Sequence, residues 1–369
     1  MKRKLLSLFF IFSLGIFMQN CRKDLSKFYL KKGSLDHLPI AMDEFISLTP
    51  LGSVGPPGHV FPNDHMGFYY VKDIKPVTIF SPGNLHLSEI RSSVYNPGEA
   101  NETADYSLTF GINGESTLIF GHISSLTPKL MQAFGNNATC EQYSAGTVMV
   151  KSCIKKVSME IQSGELIGYS NTVPGQQALD MGVYLNNQGV SPLDYFEQSV
   201  RSQLETRLMG PPNSQYDGVL RTELPLAGEI NQDLIGALQG RWYKKGAPKF
   251  PESPHISFVK DYIKPSELHI SSGTSVPVFG PGVWKFNQNN TGEINRAFKD
   301  VKVDGKIYCF DPLYLSYDPA YPAQGTFPNN SLIVKLEDQK TLFLETRDCN
   351  CAEQIPYQFT AAKLTFVRY

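Results

Sequence analysis

Between residues 46 and 190 the chain alternates apolar and polar positions with the short period of strands. "MGFYYVKDI", "PVTIFSPG", "NLHLSEIRSSV", "DYSLTFGI", "STLIFGHIS", "GELIGYS" and "ALDMGVYL" are β-type runs broken by Gly, Pro or Asn. Asn113-Gly114 between two of them predicts a hairpin. A small helix is expected from Thr127, with Pro128 in its first turn and Leu130, Met131 and Phe134 facing inward. The clearest helical period lies in "SPLDYFEQSVRSQLETRLMGPP". Leu193, Phe196, Val200, Leu204 and Leu208 form one apolar stripe. Ser191 and Asp194 have capping-box-like spacing, Pro192 suits the first turn, and Gly210 with two prolines ends the helix. A second β series then runs to residue 369. In it Asp304-Gly305 predicts a hairpin flanked by Val301, Val303, Ile307 and Cys309. The expected fold class is mainly β: an antiparallel β domain over residues 46–190, a connecting helix and linker over 191–219, and a second antiparallel β domain, a small barrel or sandwich, over 220–369.

Composition agrees with many short strands. Aromatic residues make up 12% of the 369, and Gly and Pro number 30 and 25. A net charge of −1 gives no electrostatic case for a nucleic-acid partner. The first residues change the picture more. Lys2, Arg3 and Lys4 precede an apolar run at 5–17, which is short for a membrane span and well sized for the core of a signal peptide over residues 1–20. A retained membrane anchor is the alternative. "FMQNC", ending at Cys21, resembles a bacterial lipobox, with Met18 and Asn20 departing from the commonest residues. The resemblance implies lipidation at Cys21, a tether over residues 21–45, and a location at the cell or outer membrane, facing periplasm or cell surface. An ordinary secretory signal with an incidental cysteine is the plainer reading.

Export places the other cysteines in an oxidising compartment. Cys140 and Cys153 flank a Gly-containing stretch and are candidates to pair. Cys309 has Cys349 or Cys351 as partner, which leaves one cysteine over. The "CNC" spacing is not that of a zinc knuckle.

The chemistry centres on "PPGHVFPNDHMGFYY", residues 56–70. With "PVTIFSPGNLHLSEI", "LIFGHIS", "VSMEIQSGELIGYSNT" and "ALDMGVYL", it resembles in order and context the lysostaphin-type zinc peptidases, the M23 or LytM family, over about residues 48–188. In active members two His and one Asp hold zinc, and two further His flank the bound water and the developing oxyanion. Three ligands leave one position for a water of lowered pKa, and the imidazoles move protons. His65 matches the first ligand, and His122 matches the catalytic His of the Tyr-x-His-Leu strand. Asp180 stands at the last ligand position. Tyr69 replaces the ligand Asp, and Ala178 replaces the other catalytic His.

His59 or Asp64 could complete a zinc site with His65 and Asp180, although Asp64 beside His65 on an extended strand would point to the opposite side. The competing reading is a rigid loop with Asp64 capping a turn and His59 exposed. His37, His86, His255 and His269 carry no ligand spacing. The resemblance implies a lipid-anchored, non-catalytic module that binds a peptidoglycan peptide or a cell-envelope protein. Its rival is a zinc metallopeptidase with rearranged ligands that cuts peptidoglycan cross-links. Gly240-Arg241-Trp242 and Arg368, at the two ends of the second domain, resemble lipocalin-like barrels, which adds a small-ligand carrier as a third reading.

Overall fold

The computed structural model describes residues 28–369 except residues 74, 113–114, 146–147, 173–176, 278, 312 and 316–329. The Asn113-Gly114 turn, the leader and Cys21 lie outside the described residues. The protein is mainly β and its strand pairs are antiparallel. The first unit runs through β1 (Phe45–Thr49), β2 (Met66–Tyr70), β3 (Val77–Phe80), β4 (Leu85–Tyr95), β5 (Thr103–Phe110) and β6 (Ser116–Ile123). It continues with β7 (Ser125–Leu126), α1 (Pro128–Phe134), β8 (Thr139–Ala145), β9 (Val148–Ile161), β10 (Leu166–Ser170), β11 (Ala178–Leu185) and β12 (Gln188–Val190). Its large sheet has the order β1-β2-β11-β6-β5-β4-β9-β8, with β12 on β11, and β3-β10-β7 form a smaller sheet.

Strict alternation sorts the faces. Met66, Phe68 and Tyr70 of β2 and Leu179, Met181 and Val183 of β11 enter the core, while Gly67, Tyr69, Asp180, Gly182 and Tyr184 line the opposite face. The expected helix after Ser191 is two pieces. A 3₁₀ turn at Pro192–Tyr195 is followed by extended Phe196 and then by α2 (Gln198–Glu205). The whole apolar stripe is nevertheless buried, from Leu193 to Leu208, so the break serves packing rather than helix propensity. Ser191 makes no side-chain cap. In α1, Leu130 is buried but Met131 faces out, against expectation. From residue 28 on, the tether reading also fails. Phe28, Leu30, Leu35 and Ile40 are buried, and Leu35 bridges to Phe196 and Gly83.

The second unit is one nine-stranded sheet that curls as a half-barrel. It contains β13 (Gly240–Lys244), β14 (Ile256–Lys260), β15 (Leu268–Ser272), β16 (Gly282–Lys285), β17 (Tyr308–Phe310), β18 (Leu313–Leu315), β19 (Ser331–Leu336), β20 (Thr341–Arg347) and β21 (Leu364–Val367). Its order is β17-β19-β20-β21-β13-β14-β15-β16-β18. Phe258, Phe286, Phe298 and Phe310 pack ring against ring inside it at 5.1–6.4 Å, beside buried Trp242 and Trp284. Large side chains pack this interior. The hairpin expected at Asp304-Gly305 is a bend ahead of β17. Val301 is buried in the core, whereas Val303 stays exposed. Trp242 and Arg368 do meet: the guanidinium lies 4.2 Å from the ring centroid and donates to the carbonyls of Leu234, Ala237 and Gln239.

Cys140 pairs with Cys153 across neighbouring positions of β8 and β9, and Cys309 pairs with Cys351, which leaves Cys349 unpaired among the described cysteines.

Candidate functional site

Adjacent strands carry the site. β5, β6, β11 and the loop entering β2 bring Asp105, His122, Asp180 and His65 together in that order. Neighbouring strands lie about 4.8 Å apart, so one polar side chain from each reaches the next. His122 Nδ1 is 2.7 Å from Asp105 Oδ2, and His122 Nε2 is 3.2 Å from Asp180 Oδ2. The same Asp180 oxygen lies 3.3 Å from His65 Nε2, and His65 Nδ1 is 3.3 Å from Asp64 Oδ1. Three carboxylates and two imidazoles thus alternate in one chain: Asp105, His122, Asp180, His65, Asp64.

A bulge puts His122 there. Between Leu108 and Tyr106 of β5, strand β6 inserts one extra residue, since Leu108 faces Phe120 and Tyr106 faces Ile123. Both Phe120 and Ile123 remain buried, so Gly121 and His122 share the intervening positions. His122 takes a left-handed backbone, φ 62°, which is costly for a residue other than Gly. The Ser170 hydroxyl, at 2.6 Å, donates to its carbonyl.

His65 precedes β2 rather than lying in it. The backbone bends there, so Asp64 and His65 meet on one side instead of pointing apart as an extended strand would require. Tyr184 donates to Asp64 Oδ1 at 3.2 Å. Its ring lies across Gly182, where a Cβ would stand 2.7 Å away, so this reach requires glycine. His59 is exposed and stacks edge-on against His65, with centroids 5.5 Å apart. Tyr69 projects onto the site face beside Asp180.

The charges reinforce one another. Burial works against a protonated His65, but hydrogen bonds to Asp180 and Asp64 overcome it and raise its pKa to about 9. His122 rises to about 10 through its bonds to Asp105 and Asp180, against burial. Burial would raise Asp180, yet its bonds to His122 and His65 hold it far below the ordinary carboxylate range. Asp64 is lowered in the same way, with burial opposed by His65 and Tyr184. The protein packed around one side of its ring, and then the His65 charge, push the exposed His59 down. Tyr69 is pushed up to about 12 by burial and by Asp180.

The donor types suit zinc, and each Nδ1 is held by a carboxylate, as in many ligating histidines. Their placement does not fit it. The Asp180 oxygen is bonded to both imidazoles, and among the described residues no three His, Cys, Asp or Glu side chains are disposed to hold a metal ion. Of the expected ligands, His65 and Asp180 meet directly, Asp64 acts behind His65, and His59 stays at the edge.

Sequence reasoning missed Asp105 and Tyr184. Tyr184 was within reach, because it sits four positions after Asp180 on one strand face. Asp105 carried no signal, since its bond to His122 depends on the register and bulge of β6.

No family model and no curated protein sequence matches the chain. Among solved structures, Helicobacter pylori Csd3 in its orthorhombic crystal is similar at 18% identity with a TM-score of 0.24. The match covers 47% of this chain and 40% of that one. So low a score carries no functional argument.

Proposed function

We propose that the chain is an exported, lipid-anchored protein whose first domain is a degenerate M23-like module. In this reading it binds a peptidoglycan peptide or a cell-envelope protein without cleaving it. The leader ending at Cys21 supports export and anchoring. One observation carries the non-catalytic reading: Asp180 Oδ2, at the last ligand position, is bonded to His65 Nε2, the other matched ligand, and to His122 Nε2, the matched catalytic group. A protonated His65 is a donor, not a ligand, so a metal would have to displace its proton. A zinc peptidase with rearranged ligands remains the rival, favoured by the carboxylate behind each imidazole.

The test is elemental analysis of the purified protein after dialysis against trace zinc, with His65→Ala and Asp180→Ala alongside. The expected result is far less than one zinc per chain and no peptidoglycan cleavage in any variant. About one zinc per chain, lost in both variants, would overturn the proposal in favour of the peptidase.

A further inference from the structure

The second unit touches the site through residues 51–64. The face of β14, β15 and β16 that points away from their own aromatic core carries Ser257, Val259, His269, Ser271 and Val283. Such a face normally meets water, yet each of these residues is at most 2% exposed. Part of the covering comes from the first unit. Val54 clusters with Val259 and Val283, and Ser257 Oγ donates to the Val60 carbonyl at 2.6 Å. The Phe61 amide donates to Glu252 Oε2 at 2.9 Å. The Phe61 ring stacks on His255, 9° from parallel with centroids 5.4 Å apart, and meets Tyr243 edge-on at 4.8 Å. Four residues further on stands His65.

The loop between is short and braced at its own base. The Gly52 amide donates to the Asn63 carbonyl at 2.9 Å, and the Asn63 amide donates to the Ser53 carbonyl at 2.8 Å. His122 and Asp180, by contrast, sit on β6 and β11 in the sheet itself. His65 is tied to that sheet on one side only, through Met66, which pairs with Met181; on its other side the chain runs back to Phe61 against the second unit.

We propose that the second unit is a clamp for the site, with Ser257, Glu252 and the His255–Tyr243 pair as positioning residues that hold Phe61 and so set His65 against Asp180. The clamp acts whether the site binds a peptide or a metal, so its failure and that of the functional reading are separable. Release of Phe61 frees His65 and Asp64 while leaving His122 on Asp105.

The test is nitrogen NMR of the imidazoles in protein labelled at histidine. Phe61→Ala, Ser257→Ala and Ser257→Thr would be compared with Leu344→Ala, which weakens the second unit's core away from the loop. The expected result is loss of the carboxylate-bonded His65 signal in Phe61→Ala and Ser257→Ala. Ser257→Thr should restore it, the His122 Nδ1 signal should stay, and Leu344→Ala should leave both. A His65 signal unchanged in both Phe61→Ala and Ser257→Ala, or moved as far by Leu344→Ala, would overturn the proposal. Ser257→Ala removes only a hydroxyl and keeps the test open if Phe61→Ala does not fold.

Discussion

Asp180 is the residue on which the site turns. One oxygen serves two imidazolium donors, and its neutral replacement removes one of the two charges that keep each protonated, Asp105 still holding His122 and Asp64 still holding His65. In metal-free protein His122 and His65 should titrate near 10 and 9, well above the 6.5 of an ordinary histidine. Both folded values are raised, so this contribution to stability is fully present below about pH 6.5. It is lost as pH rises through 9 and 10. Asp180→Asn should bring both titrations down toward 6.5, read by NMR. It should also flatten the fall in denaturant stability between pH 8 and 10.5. Unchanged titrations in Asp180→Asn would mean that the shared oxygen is not the cause.

Elements place these residues through ordinary rules used at unusual points. The extra residue in β6 swings His122 onto the face of Asp180, and the bend before β2 gathers Asp64 and His65. Elsewhere the elements are held by long-range ties. Cys309–Cys351 closes a separation of 42 residues, and removing such a loop constraint costs about 2–4 kcal/mol. Cys309→Ser should lower unfolding free energy by that much under oxidising conditions, and leave the wild type and variant alike once both are reduced. Arg368 joins the end of the chain to the start of β13 by stacking on Trp242 and capping three carbonyls. Arg368→Ala leaves those buried acceptors unmet, and an expected loss of about 3 kcal/mol would be measured by urea unfolding. At Gly240, φ 118°, a Cβ would stand 2.3 Å from Asp233 Oδ1, so this turn into β13 admits glycine alone.

At the scale of the molecule two cores exist, one centred on the first sheet and one on the half-barrel's aromatic rings. Residues 51–61 lie between them and bury polar and apolar groups of both. Coupling of this kind makes unfolding cooperative. Calorimetry should show a single transition for the wild-type protein, and Phe61→Ala should broaden or split it as the units unfold separately. Two resolved transitions in the wild type would show that the contact is too weak to join them.

The strand-rich class and the apolar faces were legible in the residue order, and His65, His122 and Asp180, which the fold brings together, could be singled out there. Alternation and turn residues are local, and they dictate which side of a strand faces the core. Cys140 and Cys153 were also readable, because they flank one hairpin. The partner of Cys309 was not, since choosing between Cys349 and Cys351 depends on how β17 meets the chain after β20. Residues 28–45 read as a polar tether although Phe28, Leu30, Leu35 and Ile40 are core residues, because a few apolar positions spaced irregularly have no period to detect. The alternating chain from Asp105 to Asp64 belongs to tertiary structure alone. It draws on β5, β6, β11 and the loop before β2, and its contacts exist only once strand order, one bulge and the bend before β2 are in place.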